Sequence, residues 1–377
     1  MNWKIPLFKI HSDKNDLDYV SRVIKRGSFW AIGPEVKDFE ENIAEYIGTK
    51  YAVVFNSGTS ALHALMIAYG ISETDELIVP SFTFISTANA PQFTRSKPVF
   101  AEIEENTFGL DPEDVNEKIT SKTKAILPIH YGGCPCQIRE LREIADDHNL
   151  LLIEDAAEAM GSKLNNKKIG TFGDSAMFSF CQNKIISTGE GGAITTESDD
   201  IYNKLQLILS HGRQDTENYF SSAKSMDYVM LGHNFRMSSI IAALGLSQLQ
   251  KIDDNISLRR EKANYLNNKL SHLSNISLPV FSDDYYCVYQ MYTIRVKNNL
   301  RDSLSTYLSN KGIMTKIYFP PVHLTSFYKS SFGYKSGYLP ITEKVSKEVL
   351  SLPIYPSITF EEMDYIIKCI SDFFEGV

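Results

Sequence analysis

Lys184 stands in the segment FSFCQNKIISTGEGGAITT (178–196), between two short apolar runs and ahead of the glycine-rich GEGG, 29 residues beyond Asp155. A free lysine amine, with a pKa of about 10.4, is neutral in only about one molecule in 2,500 at pH 7, a handicap of roughly 4–5 kcal/mol for a nucleophile. A nucleophilic lysine therefore needs burial or an imine. Held as a Schiff base to a carbonyl cofactor, the same amine is anchored, tuned and reusable as a proton shuttle. Alone, a lysine is ordinarily a solvated surface charge, and only its company changes that reading.

Three other places supply the company. In LLLIEDAAEAMG (150–161) an acidic pair closes an apolar run, and a partly desolvated Asp155 would favour a cationic partner such as a protonated ring nitrogen. A metal-binding carboxylate or a helix cap is the alternative, the former weakened because no G-x-x-x-x-G-K-[ST] loop exists in the chain. In NSGTSA (56–61), Gly58 and Thr59 open a helix where backbone N–H groups and the helix terminus would cradle a phosphate; a plain cap by Ser57 or Thr59 is the alternative. In VPSFTFISTANA (79–90), Phe84 follows another strand and offers a face to a planar ring, worth about 0.5–1.5 kcal/mol beyond area burial, with core packing as the bland reading. A phosphate cradle, a carboxylate for a ring nitrogen, an imine-forming lysine and an aromatic lid are together the needs of pyridoxal 5'-phosphate (PLP).

The elements that must position these groups are short β-branched runs alternating with segments of helical period. YAVVF (51–55), ELIVP (76–80), PVFAEI (98–103), KAILPIH (124–130), LLLIED (150–155), SAMFSF and GAITT read as strands, and SALHALMIAYG and QIRELREIADDHN as helices. The pattern predicts an α/β fold with a mostly parallel mixed sheet, whose ligands sit at the carboxyl ends of the strands. From about residue 239 a long helical stretch, SSIIAALGLSQLQKID continuing through SLRREKANYLNNKLSHL, predicts a connecting helix into a smaller C-terminal α+β domain. The expected division is 1–250, a large cofactor-binding domain with an N-terminal arm, and 251–377.

The whole-chain balance narrows the function classes. Among 377 residues, Lys+Arg 38 against Asp+Glu 46 leaves a net charge of -8, which repels nucleic acid and anionic membranes. No segment approaches the roughly 18 apolar residues of a membrane span, and MNWKIPLFKIHSDKN lacks the apolar core of an export signal, so a cytoplasmic protein is expected. Five cysteines, Cys134, Cys136, Cys181, Cys287 and Cys369, show no disulfide-framework spacing and predict free thiols. The pair in GGCPC has no second Cys/His pair at zinc spacing, and no metal is expected.

At these residues the sequence resembles the DegT/StrS-type sugar-nucleotide aminotransferases, members of the fold-type I (aspartate aminotransferase-like) PLP enzymes. The resemblance runs from GPEVKDFEENIAEYIGTKYAV (33–53) through NSGTSAL, PSFTFISTANA, EDAAEAMG, FSFCQNKIISTGEGG and GHNFRMSSIIAALGLSQL to SLPIYPSITFEEM (351–363). It implies that Lys184 forms the imine and moves the proton, and that Asp155 pairs with the pyridinium nitrogen. It also places Glu158 near the phenolic oxygen, Gly58, Thr59 and Ser179 at the phosphate, and Phe84 on the ring. Asn234, in GHNFRM, resembles a residue reaching the phosphate from the neighbouring subunit, which implies a homodimer with shared active sites. Tyr318 and His323, in KIYFPPVH, take positions lining the sugar site; a tight Pro-Pro turn packing an aromatic stays open for this segment.

A related group of sugar dehydratases carries histidine where this chain has Lys184, so the resemblance implies transamination. NK followed by TGEGG resembles the group acting on C4 rather than C3, closest in pattern to GDP-perosamine synthases and the dTDP-4-amino-4,6-dideoxyglucose enzymes. The implied reaction takes the amino group of L-glutamate to a 4-keto-6-deoxy sugar nucleotide for O-antigen or another surface glycan; the alternatives on the same fold are a 3-keto sugar-nucleotide aminotransferase, a PMP-dependent sugar dehydratase and a non-catalytic regulator. Cys181 and Gln182 stand where those enzymes commonly have an aromatic residue and a glycine.

Overall fold

The computed structural model of the chain describes residues 3–214, 222, 223 and 225–376. Its centre is a seven-stranded sheet containing β1 (Tyr51–Phe55), β2 (Glu76–Pro80), β3 (Lys97–Ala101), β4 (Thr123–Ile126), β5 (Leu151–Asp155) and the strands Ser175–Ser179 and Gly192–Thr196. The spatial order is β1, Gly192–Thr196, Ser175–Ser179, β5, β4, β2, β3. Pairing is parallel from β3 across to Ser175–Ser179, while Gly192–Thr196 runs antiparallel to both of its neighbours.

The strands are apolar along their length because both faces are covered. Side chains alternate across the sheet, so Val53, Phe55, Leu77, Val79, Ile153 and Met177 enter one core with the helices Gly58–Ala68 and Asp199–Leu209. Val54, Ile78, Leu152, Ala176 and Phe178 enter the other, with Pro34–Ile47 and Ile138–Asp147. The register then sets the functional end of the sheet: Asp155 pairs with Met177, Ser179 with Gly192, and Gly192 with Phe55. The carboxyl ends of β1, β5 and Ser175–Ser179 therefore finish together.

The C-terminal part forms its own layer, an antiparallel sheet of Ile276–Ser277, Tyr292–Val296 and Val349–Leu352 packed with the helices Arg301–Asn310 and Phe360–Glu375. Ile5, in the arm expected with the large domain, is buried in this C-terminal cluster and pairs with Ile313. The expected single connecting helix is instead two, Ser239–Leu249 and Ile252–Leu270, broken at Gln250 and Lys251. At the break the Lys251 ammonium is held by Asp16 at 2.7 Å and Asp13 at 3.0 Å, both from the capping box of the helix Lys14–Arg26. No described helix is long and apolar enough to cross a membrane.

Asp16 is buried and also accepts from Ser247 Oγ and Gln248 Nε2, so removing it takes from Lys251 the nearer and more buried of its two carboxylates and from Ser247 and Gln248 a shared acceptor. Burial pushes its carboxyl up, but Lys251, Ser247 and Gln248 outweigh that and hold it below its usual range. Its contribution is therefore present above the unfolded-state value of about 3.9 and lost as pH falls through the lower folded value. Asp16→Ala is expected to cost about 3 kcal/mol in a denaturation experiment at pH 7 and to flatten the loss of stability below about pH 4.

Candidate active site

A cavity of about 480 Å³ opens at the carboxyl ends of the central strands, and its lining includes Gly58, Thr59, Phe84, Asp155, Glu158, Ser179, Lys184 and Tyr318. Residues spread over 260 positions of sequence thus share one space, as the parallel sheet requires. The two positions where this chain departs from the pattern it resembles, Cys181 and Gln182, line the same cavity.

At the floor, Asp155 ends β5 with 7% of its surface exposed. Its Oδ2 accepts from Thr87 Oγ1 at 2.7 Å and its Oδ1 from Ala157 N at 3.2 Å. Burial dominates these bonds and raises the carboxyl above its usual value, so a cation placed against it would restore its charge. Glu154, one residue earlier, faces the opposite side of the sheet. There it accepts from His130 Nε2 at 3.1 Å and from the amides of Gly170, Phe172 and Gly173. Burial raises it, yet His130 and the amides hold it below the ordinary carboxylate range.

Lys184 leaves the loop after Ser179, its amide donating to Cys181 O, and brings its Nζ to 3.3 Å from Glu158 Oε1. The other oxygen of Glu158 accepts from Gly132 N at 2.9 Å. A carboxylate is thereby fixed next to the Lys184 amine in the cavity lining.

Another part of the lining gathers hydroxyls and backbone amides at the start of a helix. Ser57 caps the helix Gly58–Ala68 by accepting from Ser60 N, and Thr59 Oγ1 lies 2.9 Å from Ser86 Oγ. A Cβ on Gly192 would come within 2.6 Å of Gly58 N, and one on Gly58 within 3.0 Å of Met177 Sδ. The strand and the helix start can approach this closely only with a glycine at 192, since its Cβ would strike the backbone of Ser57 and Gly58. Ser179 Oγ, from the end of the neighbouring strand, faces the same cavity. The residues present therefore fit a phosphate-bearing heterocycle: an amide and hydroxyl cradle at one end, a buried carboxylate beneath, a primary amine at the side. Phe84, 59% exposed, stands over the opening with Phe319 6.3 Å away between ring centroids.

Two expected residues lie elsewhere. His323 does not line the cavity: the turn after Pro320 and Pro321 points it inward, where it is fully buried between Ser81 Oγ at 2.6 Å and Glu343 Oε1 at 3.3 Å. Burial lowers its imidazole below its usual value, and it buttresses the wall rather than facing a ligand. Tyr318, from the same segment, does line the cavity, with burial raising its phenol. Asn234 is exposed, and its carbonyl accepts from Asn56 Nδ2 at 3.3 Å, just ahead of the helix Gly58–Ala68.

Sequence reasoning missed Thr83 and Thr87, although both lie inside the FTFISTANA run, and it missed Phe8, His130, Glu190 and Lys316, which also line the cavity. Thr87 carried a signal: a hydroxyl residue in the helix start that follows β2 faces the end of β5. Phe8 and Lys316 carried none, because they come from segments joined to the site only in three dimensions.

Comparison with known proteins identifies the family. Residues 11–371 match the DegT/DnrJ/EryC1/StrS aminotransferase family. The chain is 36% identical over 362 residues to the GDP-perosamine synthase of Caulobacter vibrioides, covering 95% of each chain. It is 35% identical to the dTDP-3-amino-3,6-dideoxy-alpha-D-galactopyranose transaminase of Aneurinibacillus thermoaerophilus, covering 93% of each. Among solved structures, Helicobacter pylori PseC, an aminotransferase involved in the biosynthesis of pseudoaminic acid, superposes with a TM-score of 0.92 at 28% identity, over 99% of this chain and 100% of that one.

Thr87→Val keeps the shape of the side chain and removes its donor to Asp155. A hydrogen bond to a charged group contributes about 1.5–3 kcal/mol, so PLP affinity, measured by equilibrium titration of absorbance, is expected to fall by about tenfold to a hundredfold.

Proposed function

Since the chain belongs to the DegT/DnrJ/EryC1/StrS aminotransferase family and is a PLP-dependent sugar aminotransferase, we propose that it moves the amino group of L-glutamate to C4 of a 4-keto-6-deoxy sugar nucleotide. The reading is GDP-perosamine synthase-like, with a product destined for O-antigen or another surface polysaccharide and the reaction taking place in the cytoplasm. The observation that carries it is the shared cavity of Lys184, Asp155 and the phosphate cradle, together with the likeness to GDP-perosamine synthases.

When bound, PLP supplies a carbonyl that condenses with an amine and a ring that delocalises the electron pair released at the neighbouring carbon. Everything else is the work of this chain's residues. Ser57, Gly58, Thr59 and Ser179 would hold the phosphate, and Asp155 would keep a proton on the ring nitrogen from its desolvated position. Glu158 would take the phenolic oxygen while steering the Lys184 amine, 3.3 Å away, toward the reacting carbon. Lys184 would hold the cofactor through its Nζ, and the same amine would serve as the base for the α-proton of glutamate and as the acid that returns a proton to the amino-bearing carbon of the sugar. Phe84 would exclude water from one ring face, and Tyr318 would contact the sugar at the mouth.

The proposed assembly is a homodimer in which Asn234 reaches the phosphate of the neighbouring subunit. Its support is the exposed apolar surface beside it, Tyr228, Val229 and Leu231, the last 84% exposed. Amination at C3 is the second reading, favoured by the likeness to the dTDP-3-amino-3,6-dideoxy-alpha-D-galactopyranose transaminase.

Three measurements test the proposal. Lys184→Ala is expected to lower turnover by more than about 10³-fold, and borohydride treatment of the loaded wild-type protein to leave the cofactor on the Lys184 peptide. Glutamate consumption with GDP-, dTDP- and UDP-linked 4-keto-6-deoxy sugars should be fastest for the GDP sugar, with nitrogen found at C4 by NMR. Nitrogen at C3, or no preference for the GDP sugar, would overturn the assignment.

A further inference from the structure

Cys134 and Cys287, 153 positions apart in sequence, meet in the interior with their sulfurs 2.7 Å apart. Both are buried, at 3% and 2% exposure. The approach is imposed by backbone rather than by side-chain preference. Val288 N donates to Gly133 O at 2.9 Å and Met291 N to Gly132 O at 3.2 Å, which locks the turn after His130 to the segment that leads into the strand Tyr292–Val296. Gly133, at φ +85°, leaves no room for even a Cβ, which would meet Val288 Cγ2 at 2.6 Å and Glu158 O at 2.8 Å. Cys134 and Cys287 also line a small pocket of about 20 Å³ together with Thr107, Phe108, Tyr131 and Tyr289, room for one water-sized molecule.

We propose that Cys134 and Cys287 form a covalent modification site, a reversible disulfide made by a small peroxide that enters this pocket. One cysteine sulfur attacks a peroxide oxygen and the O–O bond breaks, leaving a sulfenic acid and releasing water. The second sulfur displaces the sulfenic oxygen, which leaves as a second water. Two S–H bonds are lost, one S–S bond forms, and the two electrons given up by the cysteines reduce hydrogen peroxide to two waters. Burial, and after it the neighbouring sulfur, raises the Cys134 thiol well above its usual value, so the thiolate is scarce and the reaction slow.

The link would be a staple. The two segments are already in hydrogen-bonded register, so the native structure barely moves, while the unfolded chain acquires a closed loop of about 150 residues. The same turn holds the active site, because Gly132 N donates to Glu158 Oε2 beside Lys184. Activity is therefore expected to survive oxidation.

The test uses the full-length holoenzyme. After incubation with hydrogen peroxide it is denatured, alkylated, digested without reductant and examined by mass spectrometry. The expected result is one joined pair of peptides carrying Cys134 and Cys287, lighter than the separate thiol peptides by two hydrogens and separated by dithiothreitol. Tm should rise by about 5 °C, revert with dithiothreitol, and stay unchanged by peroxide in both Cys287→Ser and Cys134→Ala. Recovery of both cysteines as alkylated thiols overturns the proposal. So does a link between Cys134 and Cys136, or one to Cys181 or Cys369.

Discussion

A carboxylate at the end of a buried parallel strand is the constraint on which the rest of the molecule depends. Asp155 is desolvated by its neighbours, and two hydrogen bonds, from Thr87 and from Ala157 N, do not offset that burial. A side chain so placed favours a proton or a cation, and the fold leaves one side of it open to the cavity. The alternation of a strand explains how the same acidic pair performs two tasks. Glu154 turns to the other face, where four donors saturate it and tie β5 to the loop Gly170–Gly173. One carboxylate is satisfied and structural; its neighbour is under-satisfied and available. Because His130 Nδ1 accepts from Cys136 N, its Nε2 carries the proton given to Glu154. The imidazole therefore stiffens the floor of the site, with its backbone amide donating to Asp155 O at 3.2 Å.

Much of this arrangement was legible in the sequence, for a physical reason. A sheet covered on both faces makes its strands continuous apolar runs, and the residues that interrupt them must sit at strand ends, where a parallel sheet gathers its ligands. NSGTSA, EDAAEAMG and the Lys184 loop stood out as candidate site segments because each follows such a run, and the fold brings all three to one cavity; β1, β2 and Gly192–Thr196 fall at their expected limits. The illegible parts depend on distant partners. The run through Glu102 and Ile103 reads as strand, but β3 stops at Ala101 and Glu102 turns to accept from the amides of Ile341 and Thr342. KAILPIH reads as strand to His130, yet β4 ends at Ile126, and only an isolated bridge from Ile129 to Asp155 continues it.

The same logic explains the broken connecting helix and the inward turn of His323. Apolar periodicity runs without interruption through Gln250 and Lys251, and no local signal marks the Lys251 ion pairs with Asp13 and Asp16, more than 230 positions upstream. His323 sits in a segment whose local pattern offered two readings, and Ser81 and Glu343 decided between them by filling both ring nitrogens. A histidine with both nitrogens satisfied in the interior has nothing left to offer a substrate.

The C-terminal layer has a stake in the chemistry although it contributes little of the cavity wall. Gln290 Nε2 donates to Asn183 O, adjacent to Lys184, and Met291 N donates to Gly132 O, whose own amide fixes Glu158. Tyr131 OH donates to Tyr318 O at 2.5 Å, so the turn bearing Gly132 also sets the position of the aromatic at the mouth. A single run, Cys287–Thr293, therefore grips both the backbone beneath the lysine and the turn behind the carboxylate 3.3 Å from it. The lysine–carboxylate distance is consequently a property of how the two layers pack. A loop carrying Lys184 alone would have no means of holding its amine to a tolerance of a few tenths of an ångström, whereas two hydrogen-bonded segments anchored in a common core do.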